Sequence, residues 1–277
     1  MSELQLRIIT GFLFGICMIG VSWAPSMIVY LFFGLVMVLG ILELVNMANS
    51  IKEVHVDRVY LALTAVIFYL TISLIQYFQM NPLLYVGLFA ALFVLLLYEL
   101  WRQSGNAFLN VAVFSLSIIY LLVPFLLMAH LVSFSKDLKL TFPLLLGLLI
   151  LIWTNDTMAY FTGRVLGKTP VFKRISPKKT VEGTVGGALF TLVGAYVISL
   201  LTSEFPLEFW CISALLIVPM SIFGDFFESL LKRAVNVKDS GSILPGHGGI
   251  LDRFDSLLFS VPIFYFWVVF YLEIFQT

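Results

Sequence analysis

The chain has 277 residues, of which 61% are hydrophobic and 12% are charged, and its mean hydropathy is +1.04. This composition excludes an ordinary soluble domain, whose surface needs more charge than this chain offers. The 16 Lys and Arg residues balance the 16 Asp and Glu residues, so the net charge alone indicates no class of partner. The positions of the charges along the chain are more informative.

Nine apolar runs follow one another, each close to the 20 or so residues that a helix needs to cross a bilayer. Helices are expected because lipid offers no hydrogen-bond partner to open backbone groups. The sequence therefore predicts an all-α, polytopic integral membrane protein with about nine transmembrane helices. The runs lie near residues 8–24, 26–45, 59–79, 83–101, 107–134, 141–163, 184–203, 208–231 and 256–275.

The basic residues predict an orientation for these helices. If the nine runs cross the membrane alternately, every Lys and Arg except Lys136 and Lys139 falls on the side of the N-terminus. The positive-inside rule places that side in the cytoplasm. We therefore predict a cytoplasmic N-terminus and an extracytoplasmic C-terminus in a bacterial-type inner (plasma) membrane.

The first half of the chain shows little chemistry. Residues 1–140 are interpreted as a scaffold, a lipid-facing wall or an oligomer surface, and a homodimer is left open. Glu43 and Glu99 lie near predicted cytoplasmic helix ends, where a charge can reach water. A polar cleft that faces the cytoplasm is predicted in residues 141–277.

Asp156 lies inside a predicted spanning run, where an ionisable side chain is costly and usually functional. On a helix it shares one face with Tyr160, Gly163 and Gly167, and the small residues favour close packing of another helix. The alternative is a structural Asp paired with Arg or Lys.

A basic segment follows at residues 168–187. Ser176 is a predicted helix N-cap and Pro177 the first helical residue, because Ser and Pro favour these positions. A helix N-terminus beside Lys178 and Lys179 would bind an anion, and Thr180 lies next to them. The alternative is a positive-inside anchor that contacts anionic headgroups.

Asp225, Glu228 and Lys232 form one stripe of the next predicted helix, which ends at the cytoplasmic face. At this depth Asp225 is not expected to be only a solvated charge.

Residues 229–255 are the most polar stretch of the chain. Their Lys and Arg side chains suit a polyanion, and their carboxylates suit a hard divalent metal, which prefers oxygen ligands. The glycines at 246, 248 and 249 give a backbone that can approach a ligand closely. The stretch therefore predicts a metal-bound phosphate substrate.

Asp252 and Asp255 precede the last apolar run, and Asp is a good helix N-cap. Because Asp255 is next to the run, it is the predicted cap, which leaves Asp252 freer to bind metal. His247 either orients a phosphate or supports the glycine-rich turn, and both roles stay open.

The same stretch resembles the signature of the phosphatidate cytidylyltransferases, or CDP-diacylglycerol synthases. That signature reads Ser-x-apolar-Lys-Arg, four residues, Lys-Asp, a Pro-x-His-Gly-Gly turn, and Asp-Arg-x-Asp, and residues 229–255 match every fixed position. The segments at 156–164 and 176–183 also resemble this family.

The resemblance implies a membrane enzyme that makes CDP-diacylglycerol and pyrophosphate from CTP and phosphatidate. It implies Mg²⁺, with Asp225 and Asp252 as its ligands, and a monovalent ion such as K⁺ beside it. Expected partners are CTP, phosphatidate and membrane lipids, and no nucleic acid. The predicted catalytic residues are Asp225, Asp252, Lys232, Arg233 and Asp156. The predicted substrate-binding residues are Ser176, Lys178, Lys179, Thr180, Glu228, Lys238, Asp239, His247, Gly248, Gly249 and Arg253.

Two other functions are weighed against this one. A CTP-dependent lipid kinase of the polyprenol type would use similar parts but needs a base to deprotonate an alcohol. A transporter is less favoured, because the sequence has no internal repeat of discontinuous helices and its polar groups gather at one face.

Overall fold

The computed structural model describes residues 3–81, 83–102, 104–173, 175–246 and 248–275, and in that part each of the nine apolar runs contains a helix. The helices are α1 Glu3–Trp23, α2 Ser26–Ala48, α3 Arg58–Tyr77, α4 Leu84–Arg102, α5 Ala107–Ser117, α6 Val123–Asp137, α7 Leu144–Leu166, α8 Val181–Leu201, α9 Leu207–Ala234 and α10 Leu251–Phe275. A π-helical turn, Ile118–Leu122, joins α5 to α6 and makes one continuous helix of them.

Eight helical segments of the described part have the length and apolar content that a membrane crossing requires, with α5, the π-helical turn and α6 counted as one. Their outer faces expose large apolar side chains such as Ile8, Phe12, Leu63 and Val193, each more than half exposed. An exposed apolar surface of this extent suits lipid and not water. The predicted class, an all-α polytopic integral membrane protein, is thereby confirmed, while the orientation of the termini stays a prediction.

A short β-hairpin interrupts the helices where the sequence predicted a helix start. Strand β1, Pro170–Phe172, pairs antiparallel with strand β2, Ser176–Thr180. The prediction that Ser176 caps a helix beginning at Pro177 is therefore wrong. Helix α8 begins at Val181, and its N-cap is Thr180, whose hydroxyl accepts a hydrogen bond from the backbone N–H of Gly183 at 3.2 Å.

The N-cap lies later than predicted because Ser176 and Thr180 pair with Phe172 and Pro170 of β1, which keeps residues 176–180 in a strand. Thr180 ends that strand in an extended conformation, with φ of −116° and ψ of 152°. That conformation is the one an N-cap residue needs, and Thr is one of the residue types that cap well. The local preference of Ser and Pro for a helix start is overridden by the pairing partner.

Helices α7 and α8 pack closely through small residues, as the spacing around Asp156 predicted. A Cβ atom added at Gly183 would lie 2.7 Å from the carbonyl oxygen of Ala159 and 3.0 Å from the Cα atom of Gly163. Glycine on both sides allows the two backbones to touch. Since α8 also packs on α9, and α9 on α10, the four C-terminal helices form one bundle around their polar residues.

Helices α9 and α10 run past each other as an antiparallel hairpin. Gly224 of α9 lies directly against the backbone carbonyl of Asp255 in α10, and Lys232 at the end of α9 contacts Asp252 at the start of α10. The hairpin therefore sets which acidic residues lie at the same level. Asp255, and not Asp252, lies level with Asp225.

Candidate active site

Three carboxylates from three helices and one lysine from the hairpin form what we call the acid cluster, namely Asp156, Asp225, Asp255 and Lys179. The Lys179 ammonium forms an ion pair with Asp225, and both side chains keep about a third of their surface exposed, at 32% and 29%. Asp255 lies within electrostatic range of the other three members. The cluster is therefore both charged and open to a ligand.

Helix α9 organises the acid cluster through hydroxyl groups. The Ser221 hydroxyl donates a hydrogen bond to Asp156 Oδ1 at 3.3 Å, and the Ser229 hydroxyl donates to Asp225 Oδ1, also at 3.3 Å. Asn155 Nδ2 adds a third contact of 3.3 Å to Asp156 Oδ1. Asp156 is therefore linked to α9 by a hydroxyl, and it lies within electrostatic range of Lys179.

The β-hairpin positions Lys179 by packing on α9. The Phe172 ring of β1 meets the Phe226 ring edge-to-face, with centroids 4.8 Å apart and planes at 88°. The Lys179 ammonium lies 5.1 Å from the centroid of the same Phe226 ring. Such a cation–π contact and the ion pair to Asp225 hold one lysine at a defined place. Lys178, the neighbouring strand residue, is exposed instead.

A second group, which we call the lysine network, lies nearer the α9–α10 loop and consists of Glu228, Lys232, Asp252 and Ser240. The Lys232 ammonium lies 2.5 Å from Glu228 Oε2 and 2.6 Å from Asp252 Oδ1. The Lys232, Glu228 and Asp252 side chains are only 11%, 1% and 7% exposed. Two nearly buried carboxylates thus share one ammonium, which makes the lysine indispensable to their burial.

Asp252 ties the α9–α10 loop to the start of α10. Its Oδ2 atom accepts hydrogen bonds from Ser240 N at 2.9 Å, from the Ser240 hydroxyl at 2.9 Å and from Gly249 N at 2.8 Å. The prediction that Asp255 caps α10 is wrong, because the helix begins at Leu251 and Asp255 lies in its second turn. Asp252 lies in the first turn and reaches back three residues to accept a hydrogen bond from Gly249 N.

The glycine-rich turn has the backbone conformation that the sequence indicated. Gly246 and Gly248 have φ values of +75° and +81°, a region that other residues adopt only with strain. Leu244 N donates to Gly248 O at 3.0 Å, which closes the turn. A Cβ atom at Gly248 would also lie 2.5 Å from Asp252 Oδ2. His247, a predicted site residue, lies outside the residues that the structure describes.

Most of the remaining predicted substrate-binding residues lie at the surface. Arg233, Lys238, Asp239 and Arg253 are all exposed. Arg233 donates a hydrogen bond from Nη1 to the carbonyl oxygen of Val237 at 3.1 Å. These side chains are accessible to a soluble nucleotide, whereas Lys232 is enclosed by two carboxylates. Ser176 and Thr180, in the hairpin, are partly buried.

The structure separates the two predicted metal ligands into different groups. Asp225 belongs to the acid cluster, and Asp252 belongs to the lysine network. Within the described ranges no three His, Cys, Asp or Glu side chains form a ready-made metal site. Mg²⁺ does not need one, because it is commonly held by one or two carboxylates together with substrate phosphates. The three carboxylates of the acid cluster offer only oxygen donors, which fit a hard cation such as Mg²⁺.

Sequence reasoning missed Glu43, which was interpreted as a charge that reaches water. Glu43 is only 4% exposed, and its carboxylate lies against the end of the α9–α10 loop. That interpretation is wrong. The signal that could have found it is the one that singled out Asp156, an ionisable residue within a spanning helix. Tyr120 on the π-helical turn was also missed, although its buried hydroxyl lies within electrostatic range of Asp225, Asp255 and Asp252.

The chain belongs to the cytidylyltransferase family, whose model matches residues 5–271. A phosphatidate cytidylyltransferase of Staphylococcus saprophyticus is 34% identical over 263 residues, which are 94% of this chain and 97% of that protein. The one of Staphylococcus haemolyticus is 36% identical over 84% of this chain and 86% of its own length. The one of Bacillus subtilis is 49% identical over 120 residues, which cover 42% of this chain and 44% of that protein. The resemblance in residues 229–255 therefore extends over nearly the whole chain.

Proposed function

We propose that this protein transfers the cytidylyl group of CTP to phosphatidate, which yields CDP-diacylglycerol and pyrophosphate. The observation that carries the proposal is the acid cluster with Lys179, built on membrane helices and open to a ligand. The family membership and the names of the relatives support the substrate assignment. An enzyme that joins a lipid to a nucleotide needs such a charged site at the membrane.

The chemistry needs no protein nucleophile. A phosphate oxygen of phosphatidate forms a bond to the α-phosphorus of CTP, and the bond from that phosphorus to the bridging oxygen breaks, so that pyrophosphate leaves with the electron pair. Both reactants are anions, and their repulsion is the main obstacle. Fixed positive charge that meets the developing negative charge therefore lowers the barrier.

Lys179 is the residue we assign to the reacting phosphates. It is held by Asp225 and by the Phe226 ring, yet a third of its side chain remains accessible. We assign Lys178, Arg233, Lys238 and Arg253 to the outer phosphates of the nucleotide, because these cations are exposed. Lys232 is assigned a different task from the predicted one, since it holds Glu228 and Asp252 in place.

The remaining assignments concern the metal and the substrate pocket. Mg²⁺ would be held by Asp225 with Asp255 or Asp156 beside it, and when bound it would screen the phosphates and stabilise pyrophosphate as a leaving group. A monovalent ion such as K⁺ stays a proposal from the family resemblance. Further substrate contacts are proposed in the hairpin, at Ser176 and Thr180, and in the α9–α10 loop, at Asp239, His247, Gly248 and Gly249. Glu228, which was also predicted to contact substrate, lies in α9 with only 1% of its side chain exposed, so we assign it to the lysine network instead.

The site is proposed to face the cytoplasm of a bacterial-type inner membrane, where CTP is available. The distribution of basic residues along the chain supports this orientation. Phosphatidate would enter sideways from the bilayer, with its acyl chains between helices. A homodimer is compatible with the exposed apolar faces of the helices, which are otherwise covered by lipid.

The test is a reaction of the purified protein in detergent with labelled CTP and phosphatidate. Formation of CDP-diacylglycerol with release of pyrophosphate supports the proposal. Release of CDP with phosphorylation of a lipid alcohol would instead identify a CTP-dependent lipid kinase. Turnover of neither kind, in protein that remains folded, would contradict an enzymatic function and leave the transporter.

A further inference from the structure

Glu43 of α2 contacts the α9–α10 loop and the start of α10, and these contacts have no role in the cytidylyltransferase chemistry proposed above. Its Oε1 atom accepts a hydrogen bond from Ile250 N at 2.9 Å. Its Oε2 atom accepts one from Leu251 N at 3.1 Å and lies 3.1 Å from the Ser240 hydroxyl. A carboxylate of α2 therefore contacts the α9–α10 loop at Ser240 and the start of α10 at Ile250 and Leu251, 197 to 208 residues away in sequence.

The partners of Glu43 explain why it can be buried. Backbone N–H groups at the start of a helix have no partner within that helix, and the helix dipole favours a negative charge beside them. Ile250 and Leu251 lie at the start of α10, so the Glu43 carboxylate satisfies two such groups with charge-assisted hydrogen bonds. The desolvation of the carboxylate is offset by these donors.

Two glycines of the α9–α10 loop lie directly against the Glu43 side chain. A Cβ atom added at Gly249 would lie 2.6 Å from Glu43 Cδ, and one added at Gly241 would lie 2.7 Å from the same atom. Both distances are shorter than any real contact of a Cβ atom. The absence of side chains at these positions is therefore what allows the carboxylate to reach the backbone.

Ser240 connects Glu43 to the lysine network. Its hydroxyl lies 3.1 Å from Glu43 Oε2 and 2.9 Å from Asp252 Oδ2. A hydroxyl has one proton, so it serves one of the two carboxylates at a time. Asp252 in turn contacts Lys232 at 2.6 Å. A displacement of the Glu43 carboxylate would therefore move the loop, Asp252 and its lysine together.

We propose that Glu43 is a positioning residue for the reaction: it fixes the α9–α10 loop and thereby the placement of Asp252 and Lys232. This inference rests on the proposed cytidylyltransferase function. By this proposal, helix α2 helps to build the active site, although residues 1–140 were predicted to be only a scaffold.

The test compares Glu43→Gln with wild type in detergent. Gln keeps the size of the side chain but offers one acceptor oxygen, and its NH₂ group faces the N–H of the other backbone partner. We expect kcat to fall about 10- to 100-fold, because charged hydrogen bonds that orient the site are lost. KM for CTP should change less than about threefold, since the exposed cations are untouched. The matched control is Glu99→Gln. Glu99 is an acid on α4 that accepts a hydrogen bond from Asn110 Nδ2 at 2.5 Å, outside the proposed site. The kcat of Glu99→Gln should stay within about twofold of wild type.

Two further measurements separate positioning from mere stability. Glu43→Gln combined with Asp252→Asn should be at most about threefold slower than Asp252→Asn alone, because the two residues act through one path. Hydrogen exchange of the amides at 240–251 should be faster in Glu43→Gln than in wild type, and unchanged in Glu99→Gln.

The proposal is overturned if kcat per folded protein is unchanged while only the melting temperature falls. Losses that multiply in the double variant would also overturn it, as would unchanged exchange in the loop. If wild-type protein itself makes no CDP-diacylglycerol, the proposed function fails. The exchange measurement then still decides whether Glu43 holds the loop.

Discussion

The two adjacent lysines of strand β2 offer a sharp test of how the site is built. Lys178 and Lys179 have nearly the same sequence context. Because successive side chains of a strand point to opposite sides, their surroundings differ. The Lys179 ammonium pairs with Asp225 and lies over the Phe226 ring, whereas Lys178 is exposed. We predict that Lys179→Ala almost abolishes turnover and that Lys178→Ala does not.

The expected magnitudes follow from exposure. The Lys179–Asp225 pair is about one-third exposed, so its loss should reduce the free energy of unfolding by only about 1 kcal/mol or less. Its proposed contact with the reacting phosphates acts in the transition state, where removal of one such group costs about 10²- to 10³-fold in kcat. An exposed cation that only attracts the nucleotide should act mainly on KM, by roughly fivefold or less, and more weakly at high salt.

The assay is the initial rate of CDP-diacylglycerol formation against CTP concentration, at low and high salt, for Lys178→Ala, Lys179→Ala and wild type. Thermal unfolding in the same detergent confirms that each variant is folded. Equal losses in the two variants would refute the argument, because they would mean that the hairpin does not distinguish the two side chains. Wild-type turnover in Lys179→Ala would refute the assignment of this lysine to the phosphates.

Three further predictions follow from the charge distribution and from the two polar groups. A reporter fused to the C-terminus should be extracytoplasmic and one inserted in the α9–α10 loop cytoplasmic; the reverse at either place contradicts the orientation. Asp225→Asn and Asp255→Asn should each lower the rate by at least about 100-fold and raise the Mg²⁺ concentration at half-maximal rate. Asp252→Asn should lower the rate with a smaller shift of that concentration. An unchanged Mg²⁺ midpoint in Asp225→Asn and Asp255→Asn would exclude the acid cluster as the metal site. Lys232→Ala should lower the free energy of unfolding by about 3–5 kcal/mol, because it leaves two nearly buried carboxylates without their cation. Lys238→Ala, an exposed control, should change it by less than about 0.5 kcal/mol, and denaturant unfolding in detergent that gave similar values for the two would contradict the role of the network.

The sequence by itself determined the class of protein and its family. Apolar runs of about 20 residues leave helices as the available structure in lipid, and each run contains a helix in the described part of the chain. The motif at 229–255 is a linear pattern, so it could be recognised without any knowledge of the fold. The close packing around Gly163 and Gly183 was likewise readable, because helical spacing places small residues on one face.

Only the tertiary structure decided which of these residues meet. Ser176 and Pro177 favour a helix start locally, yet pairing with β1 makes them part of a strand and moves the N-cap to Thr180. Asp252 and Asp255 are three residues apart on one helix. The antiparallel hairpin sends one to Lys232 and the other to the level of Asp225.

Glu43 shows the physical reason most clearly. Its partners lie 197 to 208 residues further along the chain, and no local propensity or spacing encodes a contact of that range. Whether a membrane-embedded carboxylate reaches water, pairs with a lysine or binds a helix start depends on which element packs against it, and that is settled only when the helices assemble.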